Sequence, residues 1–254
     1  MLEKYFEYKK HKTNFKTEVI AGVSTFLTMA YIMFLNPLIL SDGGFDFGGV
    51  FTATALATAL ACFIAAFYAK TWPVGLAPGM GINAFVAYGV CKGMGYTPAE
   101  ALGAVLVAGV IFLIISLTPI RAWLINSIPK SLKLGIGAGI GGFLAIIGLE
   151  IMGVVGDHPV TLVTLGDIKN PLVLLGCLAF VSMVVMEKMK IRGNIIIGIL
   201  VFSIIAWLTG LAKFNGVVSS PPPMTYLFAF DLGAAFTAGM STVIFTLLFI
   251  DFFD

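Results

Sequence analysis

Long apolar runs, separated by short polar stretches, make up most of the sequence. A helix needs about 17 to 25 predominantly apolar residues to cross the hydrocarbon core of a bilayer. By this measure the pattern predicts an all-α polytopic membrane protein with eight spans, the last of which only begins within the chain. The predicted spans cover residues 18–40, 50–69, 74–91, 100–118, 131–151, 170–187 and 194–211, with the eighth starting near 235–242.

The third predicted span is interrupted. The stretch from Trp72 to Tyr88 reads W-P-V-G-L-A-P-G-M-G-I-N-A-F-V-A-Y and carries Pro73 and Pro78. Proline has no N–H to donate and pushes the preceding residue out of the helical region, so we predict an extended segment and then a helix from about Gly81. Irregular backbone at membrane depth is tolerated inside protein or beside a cavity, and such interrupted spans are typical of transporter substrate sites.

Composition excludes an ordinary soluble domain. Hydrophobic residues make up 59% of the chain and charged residues 11%, with a mean hydropathy of +1.03. Soluble domains carry roughly 25% charged residues. Cys62, Cys91 and Cys177 match no disulfide or metal-ligand spacing, so we interpret them as packing residues and predict neither a metal nor a cofactor.

The basic residues indicate the orientation of the chain. Most of its 15 Lys and Arg residues fall on one side of the membrane if the N-terminus is cytoplasmic, as the positive-inside rule requires. The basic segment 1–17 lacks the apolar core and cleavage site of a secretory signal, so we expect a retained cytoplasmic tail. Residues 212–234 would form an external loop, followed by the start of the eighth span, 235–254.

Two asparagines lie within the apolar spans. The Asn36-Pro37 pair in the first span indicates either a kink or end of the helix, or a wall of a substrate site. Asn83 lies in the first turn of the half-helix that runs from Gly81 to Cys91, which at about 1.5 Å per residue is roughly 16 Å long. This half-helix would begin near the bilayer midplane with unpaired N–H groups. Asn83 could bind a substrate there, or it could only tie down the freed backbone.

Two carboxylates end the chain within a strongly apolar stretch, V-I-F-T-L-L-F-I-D-F-F-D. Asp251 and Asp254 are three residues apart and therefore share one helix face. A carboxylate at membrane depth costs at least ~2.5 kcal/mol, which favours a functional role over a solvated terminal acid. The apolar run before them is too short to span a membrane, so we expect that the chain breaks off within a helix.

The fifth span contains a glycine run, G-I-G-A-G-I-G-G, at residues 135–142. Gly137, Gly139 and Gly142 fit the spacing of a dinucleotide-binding fingerprint. That fingerprint needs a preceding strand and a βαβ unit, whereas this run lies inside a membrane helix. The small-residue spacing instead predicts close helix packing or sliding.

Three segments together resemble a known family: G-V-S-T-F-L-T-M-A-Y-I (22–32) with Asn36-Pro37, G-L-A-P-G-M-G-I-N-A-F (75–85), and F-I-D-F-F-D (249–254). They are similar to the AzgA-like adenine/guanine/hypoxanthine permeases of the nucleobase:cation symporter-2 group, within the xanthine/uracil permease superfamily. The resemblance implies the fold of the uracil permease, two inverted repeats of seven spans each, with a broken helix in each repeat. Spans 1–4 (18–118) would belong to its core part and spans 5–7 (131–211) to its gate part.

The resemblance also implies the site and the activity. Asp254 would bind a purine base, with Asp251 as a supporting or proton-linked neighbour. Gly81 and Asn83 match the family's third-helix site, and Phe85 is a candidate to stack on the base. The implied activity is purine import at the cell membrane with a proton as the coupling ion, and the resemblance places a second acidic site residue on the tenth helix. The implied partners are the base and the lipid bilayer, without nucleic acid, and a homodimer stays open.

Two other classes of protein stay open from the residues alone. A membrane enzyme of the prenyltransferase type would use acidic pairs to hold Mg²⁺ and a diphosphate, but the sequence has a single D-x-x-D motif and such an enzyme needs several. A channel would place Asp254 in a selectivity ring. The residues that follow the second carboxylate would distinguish these classes.

Overall fold

The computed structural model describes residues 5–69, 74–159, 161–191, 193–213, 216 and 222–252. Helices account for most of these residues, and several continue the same axis through a short π-helix. The elements are α1 (Phe15–Met29), α2 (Ile32–Asp42), α3 (Phe47–Ile64), π1 (Ala65–Ala69), α4 (Met80–Ala84), π2 (Phe85–Gly93), α5 (Pro98–Ser116), α6 (Ile120–Ser127), α7 (Lys130–Ile151), β1 (Val155–His158), β2 (Leu162–Leu165), α8 (Pro171–Lys188), α9 (Asn194–Leu208), α10 (Leu232–Ala235) and α11 (Ala238–Asp251).

The predicted helical membrane class is confirmed. Within the described residues, five helical stretches are long and apolar enough to cross a membrane: Phe15–Asp42, Phe47–Tyr68, Pro98–Ser116, Lys130–Ile151 and Pro171–Lys188. Two shorter apolar helices, Asn194–Leu208 and Gly239–Asp251, fall on the seventh and eighth predicted spans. Each of these stretches overlaps a run found in the apolar pattern.

Polar residues at the helix starts explain where the elements begin. The side chain of Asn14 accepts a hydrogen bond from the backbone N–H of Thr17 and so caps α1. Helix α5 begins with a capping box, in which Thr97 accepts from the N–H of Glu100 and the Glu100 carboxylate accepts from the N–H of Thr97. Pro98, directly after that cap, fits the first helical turn because its missing N–H would be unpaired there anyway.

One element departs from the helical pattern. The loop between the fifth and sixth predicted spans contains an antiparallel hairpin, in which Val155 pairs with Leu165 and His158 pairs with Leu162. The apolar pattern does not reveal it, because four-residue strands are shorter than the runs that the pattern detects.

The structure divides into two compact units. The first comprises residues 1–32, 60–76 and 145–220. Within it, α8 and α9 form a helical hairpin whose turn is fixed by Asn194, which is 8% exposed. Its Nδ2 donates to the Glu187 carboxylate at 2.7 Å and to the Met183 carbonyl at 3.3 Å. The side chain of Met183 lies directly against Gly198, so a glycine is needed for the two helices to approach this closely.

The second unit comprises residues 33–59, 77–144 and 221–254, and it contains the predicted site residues that the structure describes. Its core forms where π2, α5 and α11 meet. Helix α5 contributes only small residues to this core, which lets α11 pack closely along it. The buried members of the core are Phe45, Val50, Val86, Val90, Cys91, Ala101, Ala104, Ala108, Ala235, Met240, Val243, Ile244 and Leu247.

Helices α5 and α11 run in the same direction. At one end, the Tyr96 hydroxyl lies directly against Gly239, so an added Cβ would overlap it. At the other end, the rings of Phe112 and Phe252 lie 5.5 Å apart. The fourth and eighth spans of an alternating topology must be parallel, so this packing agrees with the span order that the sequence predicts.

The glycine run of α7 has no close neighbour among the described residues. An ideal Cβ placed on Gly135, Gly137, Gly139, Gly141 or Gly142 would meet no atom of the described residues within 4 Å. Ile147 is the one buried residue of this helix among those described. Close packing or sliding of α7 against another helix therefore stays a prediction.

Candidate functional site

The interrupted span is built as predicted over its described residues. Residues 74–79 belong to no helix or strand, and Gly79 is extended, with φ −72° and ψ 120°. The helix begins at Met80, one residue before the predicted start, and the N–H of Asn83 donates to the Gly79 carbonyl at 3.2 Å. Trp72 and Pro73 lie outside the described residues.

The start of α4 and the end of α11 lie at similar distances from one end of the second unit. Helix α4 with its continuation π2 runs 14 residues to Gly93, so at about 1.5 Å per residue Met80 lies at most roughly 20 Å from that end. Helix α11 also has 14 residues, which places Asp251 roughly 20 Å from the start of α11. The Tyr96 hydroxyl lies against Gly239 near the start of α11 and so joins these two ends. Helix α11 also contacts α4 directly.

Asn83 is held by a chain of two side-chain hydrogen bonds. Its Nδ2 donates to Asn36 Oδ1 at 2.5 Å, and Asn36 Nδ2 donates to Thr54 Oγ1 at 2.8 Å. Asn36 and Thr54 are each 3% exposed, whereas Asn83 is only partly buried. We call these three side chains the Asn83–Asn36–Thr54 relay. It connects α4, α2 and α3.

The relay joins two residues that the sequence identified separately and adds one that it missed. Helix α2 continues past Pro37 to Asp42, so the Asn36-Pro37 pair lies in the interior of the helix and does not mark its end. Thr54 was visible in the sequence only as one of several threonines of the second span. Thr54 differs from the other threonines because its hydroxyl is buried opposite Asn36. Only the tertiary structure shows this.

Gly81 and Phe85 lie on either side of Asn83 along the helix. Gly81 is buried and has no side chain, so it contributes only backbone atoms to the first turn of α4. The ring of Phe85 packs along its own helix, 3.0 Å from where a Cβ on Gly89 would lie, and against the core of the second unit. Its predicted stacking on a base stays a prediction.

Asp251 continues the buried face of α11. It follows Ile244 by seven residues and Leu247 by four, and both are buried, so all three share one helix face. Asp251 itself is half-buried at the last position of the helix. Asp254 lies outside the described residues, and the roles of both carboxylates stay predictions. Within the described residues, no group of three His, Cys, Asp or Glu side chains is arranged to hold a metal ion.

A half-helix that restarts after a break, with a partly buried amide in its first turn and a carboxylate on an adjoining helix, is typical of a transport protein. The sequence model of a permease family, Xan_ur_permease, matches residues 16–254. The chain belongs to this permease family. Membership sets aside the enzyme alternative, because the family consists of transport proteins.

The chain is similar in sequence to several permease-named proteins along its whole length. It is 44% identical over its full length to a permease-named protein of Methanocaldococcus jannaschii and 39% identical to the adenine permease AdeP of Escherichia coli. It is 40% identical, over 98% of its length, to the guanine/hypoxanthine permease PbuO of Bacillus subtilis. The chain covers 58%, 57% and 59% of these three relatives, so it spans somewhat more than half of their length.

Proposed function

We propose that the full-length gene product containing this chain is a secondary active transporter that imports purine nucleobases by proton symport across the cell membrane. The observation that carries the proposal is Asn83, a partly buried amide in the first turn of a half-helix that restarts after a break. The relatives named as adenine and guanine/hypoxanthine permeases support the substrate class. The N-terminus would face the cytoplasm, as the basic residues favour.

The chemistry of a purine edge suits these groups. A purine base presents ring N–H donors beside ring or carbonyl acceptors. The first N–H groups of a helix have no partner within that helix and can donate to such acceptors, while an asparagine amide can accept from a ring N–H. The face of an aromatic ring such as that of Phe85 would cover the base.

A carboxylate can take up and release a proton, which an asparagine amide cannot do. Asp254 would accept two N–H groups of the base or share a proton with it, and Asp251 would stand one turn away on the same helix face. A protonated carboxylic acid is neutral, so it crosses the low-dielectric membrane interior at lower cost than a carboxylate. Loss and gain of that proton on the two sides of the membrane would couple base import to proton entry.

Uptake of radiolabelled hypoxanthine and adenine tests the proposal. The full-length gene product is expressed in cells that lack purine permeases, and we expect accumulation above the external concentration that collapses when a protonophore is added. Asp254→Asn should abolish accumulation. Gly137→Ala, where an added Cβ would meet no described atom within 4 Å, should transport like the wild type and so controls for expression and folding.

The pattern of uptake separates the remaining classes. Accumulation that survives the protonophore but requires Na⁺ would keep purine transport and overturn the proton. Equilibration without accumulation would indicate a channel. No uptake of either base by a wild-type protein that reaches the membrane would overturn the purine substrate itself.

A further inference from the structure

The relay has a direction. Asn83 uses its Nδ2 to donate to Asn36, and Asn36 uses its Oδ1 to accept this bond and its Nδ2 to donate to Thr54. Each amide in the series therefore donates away from α4 and toward α3. Among the described residues, the Asn83 Oδ1 is left without a hydrogen-bond partner.

We propose that Asn36 is a positioning residue that, held by Thr54, fixes the Asn83 amide with its carbonyl oxygen toward the transported ligand. This inference rests on the proposed function for the identity of the ligand, whereas the relay itself stands on the hydrogen bonds of the protein. Asn36 does not contact the ligand, because its carbonyl and amide groups each bond a protein side chain and it is 3% exposed.

Thr54 matters because it holds Asn36 in the observed arrangement. Its hydroxyl accepts from Asn36 Nδ2, and the opposite end of the Asn36 amide presents Oδ1 to Asn83. A hydroxyl can also donate, so Thr54 fixes where the Asn36 amide lies and does not by itself choose its donor end. Removal of the Thr54 hydroxyl would leave a buried amide donor unpaired, so both asparagines would be held less firmly.

A fixed carbonyl oxygen selects one class of ligand edge. Asn83 Oδ1 can only accept, so it recognises a heterocycle that presents an N–H at that position and rejects one whose nitrogen is methylated. A site built to pair with a ligand N–H discriminates strongly against analogues that lack it, since its own polar group is then buried unpaired. The relay would therefore act on specificity and affinity rather than on the rate of the conformational cycle.

Helix α3 offers a matched pair of substitutions. Thr54→Val removes the hydroxyl of the relay while keeping the shape of the side chain. Thr58→Val makes the same change one turn further along, where the buried Thr58 Oγ1 has no partner among the described residues. Thr54→Ser restores the hydroxyl and tests for rescue.

Transport kinetics and competition in the full-length gene product test the proposal. We expect Thr54→Val to raise KM for hypoxanthine by roughly 5- to 20-fold at nearly unchanged maximal rate, the effect of one unpaired buried group. Thr54→Ser and Thr58→Val should stay within about twofold of the wild type. Among N-methylated hypoxanthines used as competitors, the isomer that lacks the recognised N–H should bind weakly to the wild type and lose no further affinity in Thr54→Val.

Thermal unfolding of the purified protein tests the relay in the absence of ligand. Thr54→Val should lower Tm by about 2–4 °C and Thr58→Val should not, because replacing an unpaired hydroxyl by a methyl group is close to neutral. If the wild type binds no purine, the proposed function fails. The Tm difference between the two valine variants still tests whether the relay stabilises the protein. Equal Tm values for the two valine variants would overturn the relay. An equal KM effect on ligands with and without ring N–H groups would overturn the assigned orientation of Asn83.

Discussion

Two glycine-rich stretches of the second unit look alike in sequence and differ in structure. In residues 77–83, A-P-G-M-G-I-N, the first three residues belong to no helix, a helix begins at Met80, and Gly81 is buried. Residues 135–142 stay within the continuous 22-residue helix α7, and their glycines face no described atom within 4 Å. Glycine content alone therefore does not mark a site.

The difference comes from what accompanies the glycines. Pro78 cannot donate a backbone hydrogen bond and restricts the residue before it, so the chain stays out of the helix until Gly79 has passed. Asn83 then supplies a polar side chain that finds a buried partner in Asn36. In α7 the residues between the glycines are Ile and Ala, which neither interrupt a helix nor need a polar partner.

Loss of the Asn83 side chain is the largest effect that this contrast predicts. Asn83→Ala removes the acceptor offered to the ligand and leaves Asn36 Oδ1 buried without its donor, so we expect purine uptake to fall by roughly 10- to 100-fold. Gly137→Ala is the matched change in the other stretch and should leave uptake unchanged. Near-normal uptake by Asn83→Ala would remove this residue from the site.

A second prediction concerns the glycine against which the restarted helix packs. A Cβ on Gly43 would lie 2.8 Å from the Cα and 3.2 Å from the Cβ of Ala87 in π2, and 3.2 Å from the carbonyl oxygen of Leu40. Because two of these atoms are backbone, Gly43→Ala forces a shift of the chain and should destabilise the protein by about 1–3 kcal/mol. Thermal unfolding in detergent measures this, and an unchanged Tm would show that the close approach is not required.

Much of this fold could be predicted from the sequence because its determinants are local. Long apolar runs define the spans, and Pro78 with its neighbouring glycines defines the interruption to within one residue. Asn36 and Asn83 stand out because an amide in an apolar helix is costly. Thr54 does not stand out, since a threonine hydroxyl is tolerated in any membrane helix. Its role depends on Asn36, the side chain opposite. The direction of the relay likewise depends on which atoms meet across three helices.

The same limit applies to the packing prediction for α7, and it leads to the smallest expected effect. Spacing of small residues shows that a helix can be approached closely, but not that a partner is present. If the glycine face of α7 is open, Gly139→Ala should stabilise the protein by up to about 1 kcal/mol, because alanine favours helix more than glycine does. A fall in Tm, or loss of an oligomer on size-exclusion chromatography, would instead show that this face is covered in the assembled protein. The two glycine-rich stretches would then share a dependence on close contact, and only the proline and asparagine would still distinguish them.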